Sequence, residues 1–519
     1  MRGCNGAAIV QLVGTGLADS MITSNPSITF WRHMHMQYTN FALETSELNF
    51  TAGAASFGQC PKVNLDRVGD LAYWMYFVAD LPGIGLEYPR GAGAQILSND
   101  QAAAGGRLVE PFWSPAIGHA LIEEAAIFIG GQCIDQLWSE YMYIWEELSG
   151  QPGKRLVEMT GSYRTTLALQ IASRQPRRLY VPLPFWFTQN SGLALPIVSL
   201  QFHSISVSLQ LRRLRDLLCL TWDAQNSSDA GVPIPRMGAL ADPSFQYTID
   251  DIQERAAFRG ANATAVQGVG DLSALTNNSL QMGHIECCYV YLDQNERSQF
   301  ANGAFEQLIQ EHQEQRITQP QTGLAAGTSA YGNNVTLCLD LNFNHPVSEL
   351  LWVVRKQSNE GANAGANGPA SPDFNQWFNF GGTLDTVTGV PIDPVINAKL
   401  QLNSTSRFDT EGRYFRLVQP YQHHTNIPVE HIYSYSFALQ PEDASQPSGS
   451  ANFSRIDKVQ LELVIDGRQF VASASAAGLD NAPGAANPAE NNQVTVIVYG
   501  LNWNTVRYKF GLGGKKFSH

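Results

Sequence analysis

Short segments in which apolar and polar residues alternate recur along the whole chain, and they constrain its fold more than any other feature. Alternation with a period of two places one side of a strand against a core and the other side in water. The clearest of these segments are residues 205–211, 335–343 and 433–439. Turns rich in Gly, Pro and Ser separate such segments, as at residues 447–450. The pattern predicts an all-β protein built from β-sandwiches.

Further strands are predicted in both halves of the chain, whereas helical patterns are few. The predicted strands span residues 27–31, 38–43, 71–78, 125–129, 167–171, 179–187, 285–292, 344–355, 456–463, 494–499 and 501–508. One helix is predicted over residues 138–148 and ends at Gly150. A second helix is predicted over residues 296–315, because apolar pairs four residues apart form one stripe there.

The length of the chain, 519 residues, exceeds one ordinary hydrophobic core and fits two domains of roughly 200 residues or more. We therefore expect an N-terminal arm over 1–26, a first sandwich over 27–294, a connector helix over 295–315 and a second sandwich over 316–519. Five stretches poor in large apolar residues predict long surface loops. These stretches are 91–106, 223–270, 318–334, 359–372 and 472–492, and the second belongs to a loop insertion near 223–283 of the first sandwich.

The charge composition argues against nucleic-acid binding. Charged residues make up 15% of the chain, below the roughly 25% of an average soluble protein. The formal net charge is −13, whereas proteins that bind nucleic acids use Lys and Arg to neutralise phosphates. The one basic cluster at the C-terminus, residues 515–516, is too small to reverse that balance. The sequence therefore predicts no direct contact with nucleic acid.

The cysteines are scattered, odd in number and without CxxC spacing. They are Cys4, Cys60, Cys133, Cys219, Cys287, Cys288 and Cys338. This pattern predicts reduced thiols that fill core space in a reducing cytoplasm. Cys287 and Cys288 are adjacent on a predicted strand, so their side chains should point to opposite faces. No apolar run approaches the ~18 residues of a membrane span, and we expect a soluble chain without a signal peptide.

Few residue types occur in a pattern suited to catalysis or metal binding. His33 and His35 would lie on one face of a strand, but no third metal ligand is identifiable. Glycoside hydrolysis requires two carboxylates that converge on the sugar. The consecutive carboxylates at 123–124 and 146–147 do not converge, so they are interpreted as solvated or subunit-edge groups. We predict no catalytic residue, no cofactor and no metal site.

Two polar pairs are interpreted as structural. His423 and His424 lie in a polar turn and are expected to be satisfied by hydrogen bonds. Asp293 and Arg297 flank the start of the connector helix, where an aspartate can accept bonds from free backbone amides. We therefore expect Asp293 to act as the cap of this helix and Arg297 to form a surface pair.

Triplets of the form Asn-x-Ser/Thr mark possible glycosylation sites in the predicted loops and turns. The candidates are Asn226, Asn262, Asn277, Asn334 and Asn403. Asn49 and Asn452 carry the same triplet, and Asn452 is the weakest because its segment looks structural. Such triplets also arise by chance in a chain rich in Asn, Ser and Thr.

Several blocks of sequence, in matching order and spacing, resemble one protein family. They include residues 179–211, residues 494–514 and residues 414–457 with their motifs Tyr-Gln-His-His-Thr-Asn-Ile-Pro and Ser-Ala-Asn-Phe-Ser-Arg. These blocks resemble the major capsid proteins of large icosahedral double-stranded DNA viruses of the iridovirus, phycodnavirus and marseillevirus types. No block resembles a catalytic motif.

The resemblance implies a double jelly roll, in which two tandem eight-stranded antiparallel sandwiches share one chain with long surface loops and few short helices. It further implies a homotrimer of nearly hexagonal outline that tiles the capsid shell of a virion, beside minor capsid and penton proteins. The N-terminal arm would lie on the inner side near an inner membrane, and assembly would occur in the host cytoplasm. The strand pattern alone does not distinguish a jelly roll from other sandwiches.

Two other functions remain open for a β-sandwich. Trp377 and Phe378, beside Gly-rich loops, suggest a carbohydrate-binding protein, although they are also interpreted as strand residues. A hydrolase would need a convergent acid–base pair, and none is identifiable in the sequence. The shell subunit is therefore the leading hypothesis, and the carbohydrate-binding protein is the alternative.

Overall fold

The computed structural model describes most of the chain. The described residues are 13–517 except 29, 32–34, 36, 52–54, 84–107, 152, 155, 164–165, 174, 224–282, 321–333, 357–374, 382–392 and 467–492. Two compact units are present, Met1–Phe41 and Ala42–His519. In the first unit, a 3₁₀ turn at Leu17–Asp19 leads into the short helix Ser20–Thr23. The Asp19 carboxylate accepts a hydrogen bond from the backbone amide of Gly16 and so holds the start of this turn.

The first half of the chain forms a sandwich of two antiparallel sheets. Its strands are β1 (Phe41–Leu48), β2 (Lys62–Asn64), β3 (Leu71–Leu81), β4 (Leu108–Trp113), β5 (Ile122–Ile129), β6 (Gln132–Trp138), β7 (Arg177–Pro182), β8 (Leu195–Pro196), β9 (Ile205–Leu211), β10 (Leu218–Asp223) and β11 (Gly283–Leu292). One sheet has the order β1-β11-β3-β7, with β8 beside β3, and the other has the order β2-β9-β5-β6. Strands β4 and β10 form a separate pair.

The second half forms another sandwich. Its strands are β12 (Phe305–Pro320), β13 (Val335–Asp340), β14 (Pro346–Lys356), β15 (Val395–Leu402), β16 (Thr405–Glu411), β17 (Ile432–Ser436), β18 (Ala451–Asn452), β19 (Val459–Ile465), β20 (Gln493–Lys509) and β21 (Leu512–Lys515). One sheet has the order β12-β20-β14-β17, and β18 and β21 extend it. The other sheet has the order β13-β19-β15-β16.

Both sandwiches have the same connectivity. In each, the first, eighth, third and sixth main strands form one sheet, and the second, seventh, fourth and fifth form the other. This order is that of a jelly roll, an eight-stranded double sheet made of two Greek keys. The predicted double jelly roll is therefore confirmed, and we call the two sandwiches the first and second jelly rolls.

Helices in the described part of the chain are short. Besides Ser20–Thr23, they are Ile117–Leu121, Ser139–Ser149, Val157–Thr160, Thr166–Ser173, Trp186–Gln189, Gln294–Asn302 and Gln419–His423, the last preceded by a π-helical turn at Tyr414–Val418. The helix predicted over 138–148 is confirmed, and the backbone amide of Gly150 closes it on the carbonyl of Glu146. None of the helices in the described ranges combines the length and the apolar character that a bilayer crossing would need.

The connector helix predicted over 295–315 is wrong beyond Asn302. The helix Gln294–Asn302 ends there, and β12 pairs with β20 along its whole length from Phe305 to Pro320. The apolar stripe that suggested a longer helix therefore belongs partly to a strand, in which Ile309 is buried. Sixteen residue pairs with β20 supply tertiary contacts that override the helical period.

Other differences from the predicted strands have local causes. Residues 167–171 lie in the helix Thr166–Ser173 instead of a strand, because Leu and Ala there have high helix propensity. The strand predicted over 179–187 ends at Pro182, since Pro182 and Pro184 have no amide to donate to a sheet. The described residues of 27–31 form bends and coil instead of a strand. The five predicted loops lie largely outside the described residues.

The two jelly rolls share a hydrophobic core. Along β20, Val496 and Val498 point into the core of the second jelly roll. The alternate residues Ile497 and Tyr499 belong instead to the core that includes Phe77 and the rest of the first jelly roll. Because period-two alternation buries both faces of this strand, the β12-β20-β14-β17 sheet is a layer common to both sandwiches.

Gly412, directly after β16, tests how tightly the second jelly roll is packed. A Cβ atom there would lie 2.0 Å from the backbone oxygen of Val395, which cannot move without shifting β15. We expect Gly412→Ala to lower the free energy of unfolding by roughly 1–3 kcal/mol or more, as overpacking does. Gly192→Ala is the control, because its added Cβ would meet only Asn190 Oδ1 at 3.4 Å. Equal urea midpoints for the two variants would contradict this close approach.

Candidate functional site

The contact between the two jelly rolls contains a group of buried aromatic and charged side chains. The helix Ser139–Ser149, which we call the junction helix, follows β6 of the first jelly roll and packs on the shared sheet of the second. Its Tyr141 is fully buried, with ring centroids 4.3 Å from His312 in β12 and 5.6 Å from Tyr499 in β20. Burial raises the pKa of Tyr141 well above its ordinary value.

A buried carboxylate surrounded by three guanidinium groups lies at the start of the junction helix. Glu140 Oε1 is 2.9 Å from Arg355 Nη1, 3.3 Å from Arg316 Nη2 and 3.6 Å from Arg212 Nη2. Burial alone would raise the pKa of Glu140, but the charges of Arg355, Arg212 and Arg316 outweigh it and lower the pKa to about 2. Glu140 and Arg212 belong to the first jelly roll, and Arg316 and Arg355 belong to the second.

The guanidinium groups also bind one aromatic ring. The Arg212 guanidinium lies 3.9 Å from the ring centroid of Trp377, and that of Arg355 lies 5.4 Å away. Arg355 Nη1 donates a hydrogen bond to the Trp377 carbonyl at 2.7 Å. Trp377 Nε1 donates to the carbonyl of Asp216, so this ring too joins the two jelly rolls.

The aromatic pair that suggested carbohydrate binding is part of this junction. Trp377 and Phe378 lie in a turn, so their interpretation as strand residues is wrong. Phe378 is buried and stacks on Tyr143 of the junction helix, with centroids 4.4 Å apart. Since their rings face protein atoms, these residues do not form an open platform for a sugar.

One more polar contact joins the jelly rolls near the middle of β12. The imidazole Nδ1 of His312 lies 3.1 Å from both carboxylate oxygens of Asp135 in β6, and both side chains are buried. Within the second jelly roll, the ammonium group of Lys515 in β21 lies 2.9 Å from Glu311 Oε1. The hairpin β20–β21 also reaches the first jelly roll, where the amide of Phe202 donates to the carbonyl of Gly511.

His424 is bound between two carboxylates, as its predicted structural role requires. Its Nε2 lies 2.5 Å from Glu349 Oε1 and its Nδ1 lies 3.0 Å from Glu442 Oε1. Burial opposes the charged imidazolium, but the two carboxylates outweigh it and raise the pKa to about 10. The neighbouring Asn426 donates from its backbone amide to the carbonyl of Leu148, at the end of the junction helix. The expected turn is in fact the end of the helix Gln419–His423.

The other predicted site residues do not form a common site. His33 lies outside the described residues, so the expected His33/His35 pair is not tested. Residues 123–124 lie on β5, where Glu123 accepts a hydrogen bond from Gln210. Residues 146–147 lie on the junction helix, where Glu146 binds the buried imidazole of His119. Glu146 is therefore a hydrogen-bond partner of a buried group and not only a solvated residue.

The side chains of Asp293 and Arg297, at the start of the connector helix, do not take the roles expected of them. Asp293 occupies the cap position, but its side chain accepts no hydrogen bond from the described backbone amides of the first turn. Its carbonyl accepts the amide of Arg297 instead. The Arg297 guanidinium lies 2.9 Å from Asp70 Oδ1, next to the start of β3. The expected side-chain cap is wrong, and the expected ion pair has a different partner.

The described cysteines are free thiols, although two of them do not fill core space. Cys219, Cys287 and Cys288 are buried, and burial raises the pKa of Cys287 to about 12. Cys60 and Cys338 are exposed. Cys4 lies outside the described residues, so the structure does not test its predicted role.

Two of the five glycosylation candidates lie on described backbone. Asn334 and Asn403 are both exposed. Asn403 turns the β15–β16 hairpin with a positive φ of 49°, and its Oδ1 accepts the amide of Lys458. Asn226, Asn262 and Asn277 lie outside the described residues.

The Glu140 cluster was not predicted, although one residue of it, Arg355, stands out in the sequence. Arg355 ends the apolar run Leu-Leu-Trp-Val-Val, where a charge is unexpected in a buried strand unless a partner is near. Its partner Glu140 lies 215 residues earlier, and the packing of the junction helix on the shared sheet brings the two together. One sequence gives no means of finding such a pair.

The substitution Glu140→Gln tests how much this cluster contributes to the stability of the fold. The substitution keeps the shape of the side chain but leaves Arg355 and Arg212 buried without their counter-charge. We expect the free energy of unfolding to fall by about 3–5 kcal/mol, measured by denaturant unfolding. Glu306→Gln is the control, because Glu306 also binds two cations, Arg507 and Lys516, but at the surface. An equally small effect of both variants would contradict the role of the cluster.

The His424 site predicts a pH dependence of stability. The folded-state pKa of His424, about 10, lies above the ordinary value of 6.5, so its stabilisation is complete below pH 6.5 and is lost as pH rises through 10. We expect His424→Gln to be less stable than the parent by on the order of 3 kcal/mol at pH 6. This difference should shrink by pH 10 in urea titrations. His423→Gln is the control, and an unchanged His424→Gln difference across this range would count against the assignment.

The comparisons with known proteins agree with this architecture. The chain matches two family models, "Major capsid protein N-terminus" over residues 29–250 and "Large eukaryotic DNA virus major capsid protein" over residues 296–514. It is 29% identical to the major capsid protein of Phaeocystis pouchetii virus, over 98% of this chain and 99% of that protein. It is 27% identical to the major capsid protein of Paramecium bursaria Chlorella virus 1, with the same coverage of 98% and 99%.

A solved structure has the same fold. PBCV-1 VP54 matches with a TM-score of 0.63 and 24% identity, over 95% of this chain and 100% of that chain. The two family models together cover more than four fifths of the 519 residues and follow the order of the two jelly rolls. The chain therefore belongs to the family of major capsid proteins of large eukaryotic DNA viruses.

Proposed function

We propose that three copies of this chain associate into one capsomer of nearly hexagonal outline, and that these capsomers tile the shell of a virion. As a member of a capsid protein family the chain is a structural protein, not an enzyme. The observation that carries the proposal is the buried junction between two jelly rolls of identical strand order. Three such pairs around a threefold axis supply six similar corners, which is the shape required for close packing on a flat facet.

The junction within one chain indicates where the contact between chains lies. The junction helix connects the fifth and sixth main strands of the first jelly roll and packs on the shared sheet of the second. In a ring of six similar units, the second jelly roll should use its own corresponding segment to contact the next chain. That segment is residues 412–431, which connects β16 to β17.

The corresponding segment presents an apolar surface to solvent in the single chain. Its exposed apolar side chains are Leu417, Val418, Tyr421, Ile427 and Val429. Leu417 and Tyr421 are four residues apart on continuous helical backbone, so they share one face. Exposed apolar side chains that share one face are typical of surfaces covered by a partner. A second copy of this chain is the partner we propose.

The receiving surface would be the sheet β1-β11-β3-β7 of the next copy. This sheet holds the same place in the first jelly roll as the shared sheet holds in the second. Phe77 and Ile285 point from it into the core, whereas Tyr76 and Glu286 lie on the opposite, partly exposed side. Its edge strand β1 is exposed over most of its length, as expected for a strand that a neighbour covers.

The finer parts of the proposal concern the organisation of the chain and its partners. The helix Gln294–Asn302 would connect the jelly rolls, with an arm over 1–26 before the first and an insertion near 223–283 within it. Minor capsid and penton proteins would join neighbouring capsomers, and an inner membrane would lie on the arm side. Assembly in the host cytoplasm accords with the free thiols of the described cysteines. Asn334 and Asn403 are the glycan positions that exposure supports.

A charge on the exposed apolar face tests the trimer. We expect the parent protein to have a solution mass three times 56.9 kDa in light scattering. Leu417→Glu and Tyr421→Glu should shift it to the monomer mass, because each would bury an unpaired carboxylate in the contact. Ile396→Glu is the matched control, since Ile396 on β15 is 38% exposed and Leu417 is 39% exposed.

Three results would contradict the proposal. A monomeric parent protein would exclude the trimer. An intact trimer in both Glu variants would exclude this contact surface. Dissociation by Ile396→Glu as well would show that the effect is not specific to the segment 412–431. Circular dichroism of each variant separates dissociation from unfolding.

A further inference from the structure

We infer that Glu47, His284 and Glu286 of the first jelly roll bind a divalent transition-metal cation of the zinc type. The three side chains come from two neighbouring strands, β1 and β11. Their ligand atoms, one imidazole nitrogen and two carboxylate oxygens, all lie within 4.8 Å of one another. All three ligands belong to one chain, and they lie on the side of β1 and β11 that the proposed trimer contact would cover.

The strand geometry directs these side chains to the same place. His284 and Glu286 are alternate residues of β11 and therefore point to the same side of the sheet. This side faces away from the core that contains Ile285. His284 Nε2 lies 3.6 Å from Glu286 Oε1, and Glu47 approaches from the adjacent edge strand.

The buried imidazole supplies an independent reason to expect a ligand. His284 is only 6% exposed, and its Nε2 has no hydrogen-bond partner within the described residues. A buried polar atom without a partner is costly, and the large majority of such atoms in native structures are satisfied. Its nearest charged neighbour, Glu286, lies beyond hydrogen-bond distance but at the spacing of two ligands of one metal ion.

The donor set selects the class of metal. Imidazole nitrogen suits zinc and related transition metals, whereas calcium and magnesium prefer all-oxygen sites. In a tetrahedral zinc site with bonds of about 2.0–2.2 Å, neighbouring ligand atoms lie about 3.3–3.6 Å apart. The His284–Glu286 spacing of 3.6 Å meets this requirement. The exposed side chain of Glu47 can close the remaining distance by rotation, and water would occupy the fourth position.

Nearby carboxylates do not compete for this role. Asp80 on β3 binds Arg178 through two hydrogen bonds of 2.7 and 2.9 Å. Glu44 on β1 accepts a hydrogen bond of 2.8 Å from the hydroxyl group of Tyr291. These neighbours have their own partners, whereas the Glu47, His284 and Glu286 set surrounds an unpartnered nitrogen.

A bound cation would fasten the edge of the first jelly roll. Strand β1 lies at the end of its sheet and pairs only with β11 in the described strand order. A metal held by Glu47 on one strand and by His284 and Glu286 on the other adds a cross-strand link. Because the cation binds the folded chain, it should raise the melting temperature as its concentration rises.

Metal analysis of the full-length protein tests the inference. The protein is stripped with a chelator and titrated with Zn²⁺ by calorimetry, and Co²⁺ absorption reports the coordination geometry. We expect one Zn²⁺ per chain and a rise in melting temperature. Glu47→Gln, His284→Gln and Glu286→Gln should each weaken binding at least about tenfold. Glu44→Gln, on the same strand but with Tyr291 as its partner, should bind as the parent does.

Two results would overturn the inference. One is the absence of stoichiometric Zn²⁺ binding by the parent protein. The other is binding by Glu47→Gln equal to that of the parent, which would place the metal elsewhere. Glu47 is exposed, so its variant should fold, and it remains decisive if His284→Gln does not fold. Light scattering on the same samples separates a loss of metal from a loss of association.

Discussion

One buried carboxylate, Glu140, is the interaction on which the shape of this molecule depends. It lies within 3.6 Å of three guanidinium groups, two of which belong to the other jelly roll. A charge buried in this way is stable only while its partners keep their positions, because an unpaired ion in the interior costs several kcal/mol. The Arg–Trp377 contacts and the Asp135–His312 pair add directional constraints on either side. The two sandwiches are therefore held in one fixed relative orientation, which a purely hydrophobic contact would not specify.

That fixed relation connects the fold to the function. A shell subunit must present the same outline in every copy, and two loosely tethered jelly rolls would not do so. The same strand order in both sandwiches makes the intrachain junction a template for the contact between chains. The junction helix packs on the second jelly roll of its own chain, whereas the segment 412–431 exposes Leu417, Tyr421 and Val429 to solvent. In the proposed trimer, the segment 412–431 packs on the next chain in the way that the junction helix packs on the second jelly roll of its own chain.

Much of the fold could be predicted from the sequence because half-buried strands carry a local signal. The alternation at Ile205–Leu211 and the apolar run before Arg355 both mark strands that the structure contains. The wrong secondary-structure predictions lie where pairing with a distant strand determines the local structure. Residues 305–315 have helical spacing of apolar residues, but β20 provides a partner along the whole of β12. The choice of a jelly roll over other sandwiches came from family resemblance, since strand order depends on contacts between distant segments.

The candidate site was less predictable than the fold. Glu140 and Arg355 are 215 residues apart, and Glu47 and His284 meet only because β1 lies beside β11. His423 and His424 were correctly interpreted as structural, but their sequence does not reveal that Glu349 and Glu442 bracket only the second. Charged residues separated by hundreds of positions leave no local pattern, so their grouping follows from the fold and not from the order of residues.

Electron cryomicroscopy of the purified protein tests the central claim most directly. A threefold particle with six corners, in which residues 412–431 of one chain pack on β1 and β11 of the next, is the predicted result. The two jelly rolls of each chain should keep the relation set by Glu140 in every copy. A reconstruction in which the jelly rolls of a chain take variable orientations, or in which chains meet through other surfaces, would contradict the account.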